Sequence, residues 1–158
     1  MRIPRIYLET SMFNYYFDKE REAHPYTVRL FEEIAEGKYR PFTSRYVLRE
    51  LNNAPEPKRS LMLKLVDKYN ITMLSVSLEA EELAARYVAE GIIPTKYLTD
   101  GIHIAVATVN DLDMILSQNF RHIVRQKTMD GTGAINMLVG YRQILIRSSQ
   151  EVADYEQA

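Results

Sequence analysis

The sequence predicts an α/β domain with a mostly parallel central sheet flanked by helices. Three observations carry that expectation. Short apolar runs of strand length alternate with longer segments of helical period, the pattern of repeated crossover units. The chain has 158 residues and is 46% hydrophobic, enough for one core and too little for two. No internal repeat, low-complexity stretch or linker interrupts residues 1–158, so a single domain is expected.

Residues 5–8 read as a strand that ends in Glu9-Thr10-Ser11, a polar turn in which Thr10 and Ser11 are better suited by type than Glu9 to cap the next element. Residues 13–17 form an aromatic-rich connection to a helix over 25–36, with Pro25 in its first turn and Gly37 just past its end. A strand over 41–44 precedes a helix from residue 43 or 44 to 52, stopped by Asn53 and Pro55. Residues 57–69 keep helical spacing through Leu61, Met62, Leu65, Val66 and Tyr69, and 71–76 is a strand candidate. Ala80, Leu83, Ala84, Tyr87 and Val88 fit the i, i+3, i+4, i+7, i+8 template, which places a helix over 78–90 closed by Gly91. A nearly apolar helix over 97–110 belongs in the core, followed by a buried-type strand over 113–116 and the polar triplet Ser117-Gln118-Asn119. Gly131-Thr132-Gly133 is read as a turn before a helix over 132–139, and 143–147 as the last strand. Ser148 and Glu151 make a capping box for a short helix or tail over 148–158.

Composition narrows the chemistry. With no Cys, disulfides, thiolate metal sites, a cysteine nucleophile and redox chemistry by the protein itself are all excluded. The N-terminus lacks a signal-peptide pattern and no run approaches the roughly 20 apolar residues needed to span a bilayer, so a cytoplasmic protein without membrane association is expected. A net charge of −1 does not advertise a nucleic-acid binder. Basic groups nevertheless recur locally, as Arg45 with Arg49, Lys58 with Arg59, and Arg121 with Arg125 and Lys127; each is either a solvated surface or part of an anion footprint.

Three carboxylates sit where apolar neighbours argue against them. Glu9 ends the first strand, Glu50 shares a helix face with Val47 and Tyr46, and Asp100 opens the apolar helix one turn before His103 and Ile104. Burying an unpaired carboxylate costs several kcal/mol. Each has a structural alternative: a turn residue for Glu9, an ion pair with an Arg for Glu50, a first-turn macrodipole contact for Asp100. A shared cation would satisfy all three, and oxygen ligands without Cys suit Mg²⁺ or Mn²⁺ better than zinc. In a parallel sheet, ligands bind beyond the carboxyl ends of the strands, where Glu9 and Asn119 are expected. Gly101 hints at a close approach to the backbone. His103 is either a core or pocket residue or a general base, and Phe13, Tyr15, Tyr16 and Phe17 either pack or stack on bases. No P-loop, G-x-G-x-x-G, G-x-S-x-G or H-E-x-x-H motif is present.

The segment Ile6-Tyr7-Leu8-Glu9-Thr10-Ser11, the stretch 44–51 around Glu50, and Thr99-Asp100-Gly101-Ile102-His103-Ile104-Ala105 followed by Met114-Ile115-Leu116-Ser117-Gln118-Asn119-Phe120 together resemble the PIN-domain nucleases. The stand-alone prokaryotic branch, similar to the virulence-associated protein C-type (VapC-like) toxins, is the nearest likeness, and it runs through residue 147. The resemblance implies a PIN-like domain whose Glu9, Glu50 and Asp100 bind Mg²⁺ or Mn²⁺, with Thr10 or Ser11 assisting and Asn119 standing where many members carry a fourth acid. It departs from the family at two points: the first acid is usually Asp rather than Glu9, and the fourth position is neutral. The expected function is a metal-dependent ribonuclease with Glu9, Glu50, Asp100 and Asn119 as catalytic residues. Thr10, Ser11, Arg45, Arg49, His103 and Arg121 are the expected substrate contacts; a homodimer and an antitoxin partner are implied. The alternatives are a catalytically weakened PIN-like module that binds RNA or protein, and a small-molecule phosphohydrolase, against which the missing nucleophile and phosphate-loop motifs speak.

Overall fold

The structure, a computed structural model, describes residues 2–153. Five strands form one sheet in the order β3-β2-β1-β4-β5: β1 Arg5–Leu8, β2 Arg40–Ser44, β3 Thr72–Leu74, β4 Met114–Leu116 and β5 Leu145–Arg147. All four pairings are parallel. In β1 the residues Ile6, Tyr7 and Leu8 are all fully buried, because a central parallel strand is covered on both faces and has no polar side. Leu8 is in register with Leu116 and Tyr7 with Phe42, which fixes the carboxyl ends of β1 and its neighbours at one edge.

The helices are α1 Thr10–Tyr15, α2 His24–Ala35, α3 Arg45–Asn52, α4 Lys58–Lys68, α5 Leu78–Ala89, α6 Leu98–Val109, α7 Gln126–Leu138 and α8 Ser149–Val152, with a 3-10 turn at Thr95–Tyr97. The expected helices and strands are all present, shifted at their ends by a few residues except at α7. In α5, Ala80, Leu83, Ala84 and Tyr87 are buried as their spacing requires. In α6 every residue from Gly101 to Thr108 is buried. Gly101 permits that packing: a Cβ there would lie 3.3 Å from Ile93 Cδ1 and 3.8 Å from Ala84 Cβ, so the close approach is a helix contact and not a ligand. Gly37 takes φ +82° as it ends α2. The Ser148–Glu151 capping box forms and starts α8; the expected continuation over 154–158 lies outside the described residues.

Two expectations need correction. The aromatic connection over 13–17 is largely the helix α1, capped by Glu9 itself, whose side chain accepts from Ser11 N. Phe13 is buried, and Tyr16 packs edge-on against Phe17, Phe31 and Tyr69, so this cluster is core and not a base-stacking surface. The last long helix starts at Gln126, and Gly131-Thr132-Gly133 lies inside it instead of forming a turn. Its buried residues are Thr128, Thr132, Ile135 and Asn136, a helical face made mostly of polar types that apolar periodicity does not register. Among the described residues no helix is long and apolar enough to cross a membrane.

Candidate active site

The chain runs β1, β2, β3 to one side and then returns to place β4 on the other flank of β1. The crevice where the strand order reverses lies at the carboxyl ends of β1 and β4. Glu9 comes directly after β1 there, and its backbone N–H continues the ladder to Leu116 O at 3.1 Å. The side chain is 6% exposed. Its Oε1 accepts from Ser11 N at 3.2 Å, Ser11 Oγ at 2.5 Å and Ser117 Oγ at 2.6 Å. The two serines also accept, Ser11 Oγ from Gln118 N at 2.7 Å and Ser117 Oγ from Asn119 N at 2.9 Å. They stitch the turn after β1 to the segment after β4.

Glu50 arrives on α3, which Ser44 starts by accepting from Val47 N at 3.3 Å. Its Oε1 accepts from Thr10 Oγ1 at 2.6 Å and from His103 Nε2 at 2.8 Å. Burial pushes this carboxyl up, but the bonds from His103 and Thr10 and the charge of Arg49 outweigh it and hold the group below the usual range. The ion pair with an Arg anticipated as the alternative is thus replaced by a histidine bond. Among the described residues, Oε2 of Glu9 and of Glu50 accepts no hydrogen bond.

Asp100 sits in the first turn of α6, a helix that precedes a parallel strand and so starts at this same edge. Its pKa is raised to about 6, first by burial and then by the negative Glu9 and Glu50; His103 and a hydrogen bond with Asn119 pull the other way. Asn119 Oδ1 accepts from Arg121 N at 3.2 Å and His122 N at 3.0 Å. Here helix-start stabilisation does not account for the residue, because burial and, after it, Glu9 and Glu50 make the charge unfavourable.

His103 is 1% exposed, and both ring nitrogens are engaged: Nε2 with Glu50 and Nδ1 with the Tyr7 hydroxyl at 2.7 Å. Direct contact with a substrate, as expected from the sequence, is closed to it; its action passes through Glu50. Tyr7 Oη is also 2.7 Å from Ser44 Oγ. With the imidazole neutral, Ser44 donates to Tyr7, Tyr7 to Nδ1, and Nε2–H to Glu50. Protonation reverses the first two bonds without breaking either. Burial lowers the imidazole pKa, but the Glu50 bond and the charges of Glu9, Glu50 and Asp100 more than reverse this, giving a net rise. Burial keeps Tyr7 a phenol by raising its pKa far above the ordinary value. Sequence reasoning does not single out Tyr7, Ser44 or Ser117 for roles at this edge. A signal exists for Tyr7: a tyrosine in the middle of an apolar central strand must find a partner for its hydroxyl.

Of the expected anion contacts, Arg45, Arg49 and Arg121 are all exposed. Arg49 lies over the Tyr46 ring, 5.1 Å from its centroid, and its charge reaches Glu50. Arg121 neighbours Asn119 in the loop after β4. The broad groove lined by Tyr39, Arg40, Phe42, Lys68 and Tyr69 among others, about 830 Å³, opens at the amino ends of β2 and β3 and holds none of these groups.

The donor set suits a hard divalent cation in kind: three carboxylates, of which Glu9 and Glu50 add to the cost of ionising Asp100, with Oε2 of Glu9 and Glu50 left over by their hydrogen bonds. Among the described residues no group of three His, Asp or Glu side chains is gathered tightly enough to grip an ion as it stands. Fit therefore requires the carboxylates to stand closer together than they do here.

No family model matches the sequence, and no curated protein matches it significantly. Solved structures do resemble it. The VapC20 protein of Mycobacterium tuberculosis, described as a sarcin-ricin loop cleaving toxin, is 18% identical with a TM-score of 0.52, covering 70% of this chain and 86% of its own. The VapBC2 assembly of Rickettsia felis, crystallised with a DNA fragment from its promoter, is 11% identical with a TM-score of 0.55, covering 91% of this chain and 98% of its own. These likenesses show the fold, the PIN-like, VapC-like α/β architecture that the sequence predicts.

Proposed function

We propose that this protein is a divalent-metal-dependent endoribonuclease of the VapC-like kind, the toxin of a toxin–antitoxin pair. The observation that supports the reading is that Glu9, Glu50 and Asp100, from three separate elements, lie toward the switch point of a PIN-like sheet, where burial first and the charges of the two glutamates second raise Asp100 to about 6. A fold neighbour that cleaves the sarcin-ricin loop and another found as a VapBC assembly support the activity and an antitoxin partner. Action in the cytoplasm and as a homodimer completes the proposal by analogy of fold.

Glu9, Glu50 and Asp100 would hold Mg²⁺ or Mn²⁺, which when bound supplies charge stabilisation at the scissile phosphate and activation of a water. The chain's own contributions are distinct. Thr10 and His103 fix Glu50 through Oε1; Ser11 and Ser117 fix Glu9 in the same way. Asn119 orients Asp100, and Arg45, Arg49 and Arg121 attract the RNA backbone. Asp100 ionises near neutrality, so protons and cation compete for it and metal affinity falls as the pH drops below about 6.

Calorimetric titration with Mn²⁺, paired with cleavage of an RNA substrate, tests the reading on wild type and Asp100→Asn. Wild type should bind and cleave, and the variant should lose on the order of 100-fold or more in both. A variant as active as wild type would remove Asp100 from the site. The second reading, an RNA- or protein-binding module that does not cut, is favoured by the three hydrogen bonds that already occupy Glu9 Oε1 as a helix cap. RNA binding without metal uptake or cleavage by wild type would select it.

A further inference from the structure

Phe120 differs from every other described aromatic side chain. The chain has 5 Phe, 11 Tyr and no Trp. Among the described ones all are buried or half-buried except Phe120, which is 52% exposed. A single exposed apolar residue needs no explanation by itself. Its setting does, because the backbone on both sides is fixed to the carboxylate site. Gln118 N donates to Ser11 Oγ, Asn119 N to Ser117 Oγ, and Phe120 N to Gln118 O at 3.1 Å. Downstream, Ile123 N and Val124 N donate to Asn119 O at 3.1 and 2.8 Å, and both side chains are buried. A large ring is held in water on an anchored loop one residue from the site.

The charges around it are complementary to a phosphate chain. Arg121, Arg125 and Lys127 are exposed and form no ion pair among the described residues, whereas Arg2, Arg5 and Arg142 at the far end of β4 are paired with Asp111 and Asp113. Next to Arg121, the half-buried His122 stacks on Tyr97 with ring centroids 3.9 Å apart and planes 28° apart. Lys96 lies 5.8 Å from the Tyr97 centroid. A planar, uncharged face beside cations that have no acidic partner among the described residues, next to the carboxylate site, matches an unpaired nucleotide better than an apolar protein surface. Unstacked RNA bases are bound on aromatic faces with their phosphates on Arg and Lys.

We propose that Phe120 is a nucleobase-stacking subsite, on which one unpaired base of single-stranded or looped RNA lies while its flanking phosphates meet Arg121 and Arg125. The proposal rests on the reading of this edge as an RNA site. It adds a selection: substrates must present an unpaired base at a fixed distance from the carboxylates, so duplex RNA is disfavoured, and base identity matters little because every base offers a π-face.

The absence of tryptophan makes the test direct, since Phe120→Trp introduces the sole indole. The probe is a fluorescein-labelled, 2′-O-methylated oligoribonucleotide, which binds without being cut; binding is read by anisotropy and stacking by quenching of Trp emission. Quenching that saturates with the same midpoint as anisotropy is expected, while Phe120→Ala should bind about 5- to 100-fold more weakly, with an unchanged melting temperature. An oligomer of the same length with abasic riboses should bind without quenching. Anisotropy showing bound RNA with unchanged Trp emission would overturn the stacking subsite and leave the nuclease reading intact. Quenching by the probe with no metal-dependent cleavage of unmodified RNA would do the reverse. No RNA binding by wild type removes both. A shift from dimer to monomer in Phe120→Ala, with RNA affinity unaltered, would overturn the proposal in favour of a contact between copies of the chain.

Discussion

Asp100 is held in a place where its charge is opposed. Its carboxyl has a pKa of about 6 in the folded chain against 3.8 for the free group. Between these values the native state binds more protons than the unfolded one, so stability falls as the pH rises through that window and the full cost stands above about 6. Asp100→Asn, which keeps the shape and removes the charge, should therefore stabilise the metal-free protein at pH 7 by about 1 kcal/mol once solvent screening of a half-buried group is allowed for. The gain should fade toward pH 4. Urea unfolding at the two pH values measures it, and a variant no more stable than wild type at pH 7 would mean that neither burial nor the neighbouring acids load this residue. The three acids are legible in the sequence because a carboxylate among apolar neighbours is anomalous at the level of a single residue. Glu9 as a helix cap is not, since Glu is a weak cap by type and part of what holds it is Ser117, 108 residues away.

At the scale of elements, α7 shows where local patterns mislead. Two glycines within three residues suggest a turn, and each costs a helix about 1 kcal/mol relative to Ala. The helix continues through both because tertiary contacts decide. On Gly131 a Cβ would lie 2.6 Å from Ile92 Cγ1 and 2.8 Å from Cγ2, too close for a branched side chain that cannot swing clear. On Gly133 it would meet the flexible end of Gln143 at 3.3 Å. The two substitutions to Ala should consequently diverge. Gly131→Ala should lose about 1–3 kcal/mol to overpacking that outweighs the gain in helix propensity, whereas Gly133→Ala should be neutral or stabilising by up to about 1 kcal/mol. Denaturant midpoints for the pair check this, and equal shifts would mean that the α7–Ile92 contact does not constrain the helix. By contrast, α5 and α6 are readable because their buried faces are apolar and long. In α7 the buried face is Thr128, Thr132, Asn136 and a single apolar residue, Ile135; Thr132 Oγ1 donates to Thr128 O at 2.7 Å, and Asn136 Oδ1 accepts from the Tyr87 hydroxyl of α5 at 2.5 Å.

At the scale of the molecule, the sheet order places the ends of β1, β2 and β4 and the start of α6 at one edge, and a buried chain of hydrogen bonds then ties β1, β2, α3 and α6 together. Ser44 at the end of β2, Tyr7 in β1, His103 in α6 and Glu50 in α3 are joined at 2.7, 2.7 and 2.8 Å. Strand and helix periods announce the elements but not this chain, whose members are up to 96 residues apart. Only the topology brings them into contact. Tyr7 is its centre, so Tyr7→Phe interrupts the chain while preserving the ring that fills the core. The substitution leaves His103 Nδ1 without a partner in a buried setting and Ser44 Oγ with only the Val47 N–H, at a cost of about 1–3 kcal/mol in stability. If the chain also holds Glu50 for a cation, Mn²⁺ affinity measured by calorimetry should fall by about 10-fold or more, as when the supports of other metal ligands are removed. Stability and affinity need not move together. A loss of stability with unchanged Mn²⁺ affinity would make the chain a fastening of the core alone, whereas a matched loss would show that the packing of the central strand reaches the carboxylates through His103.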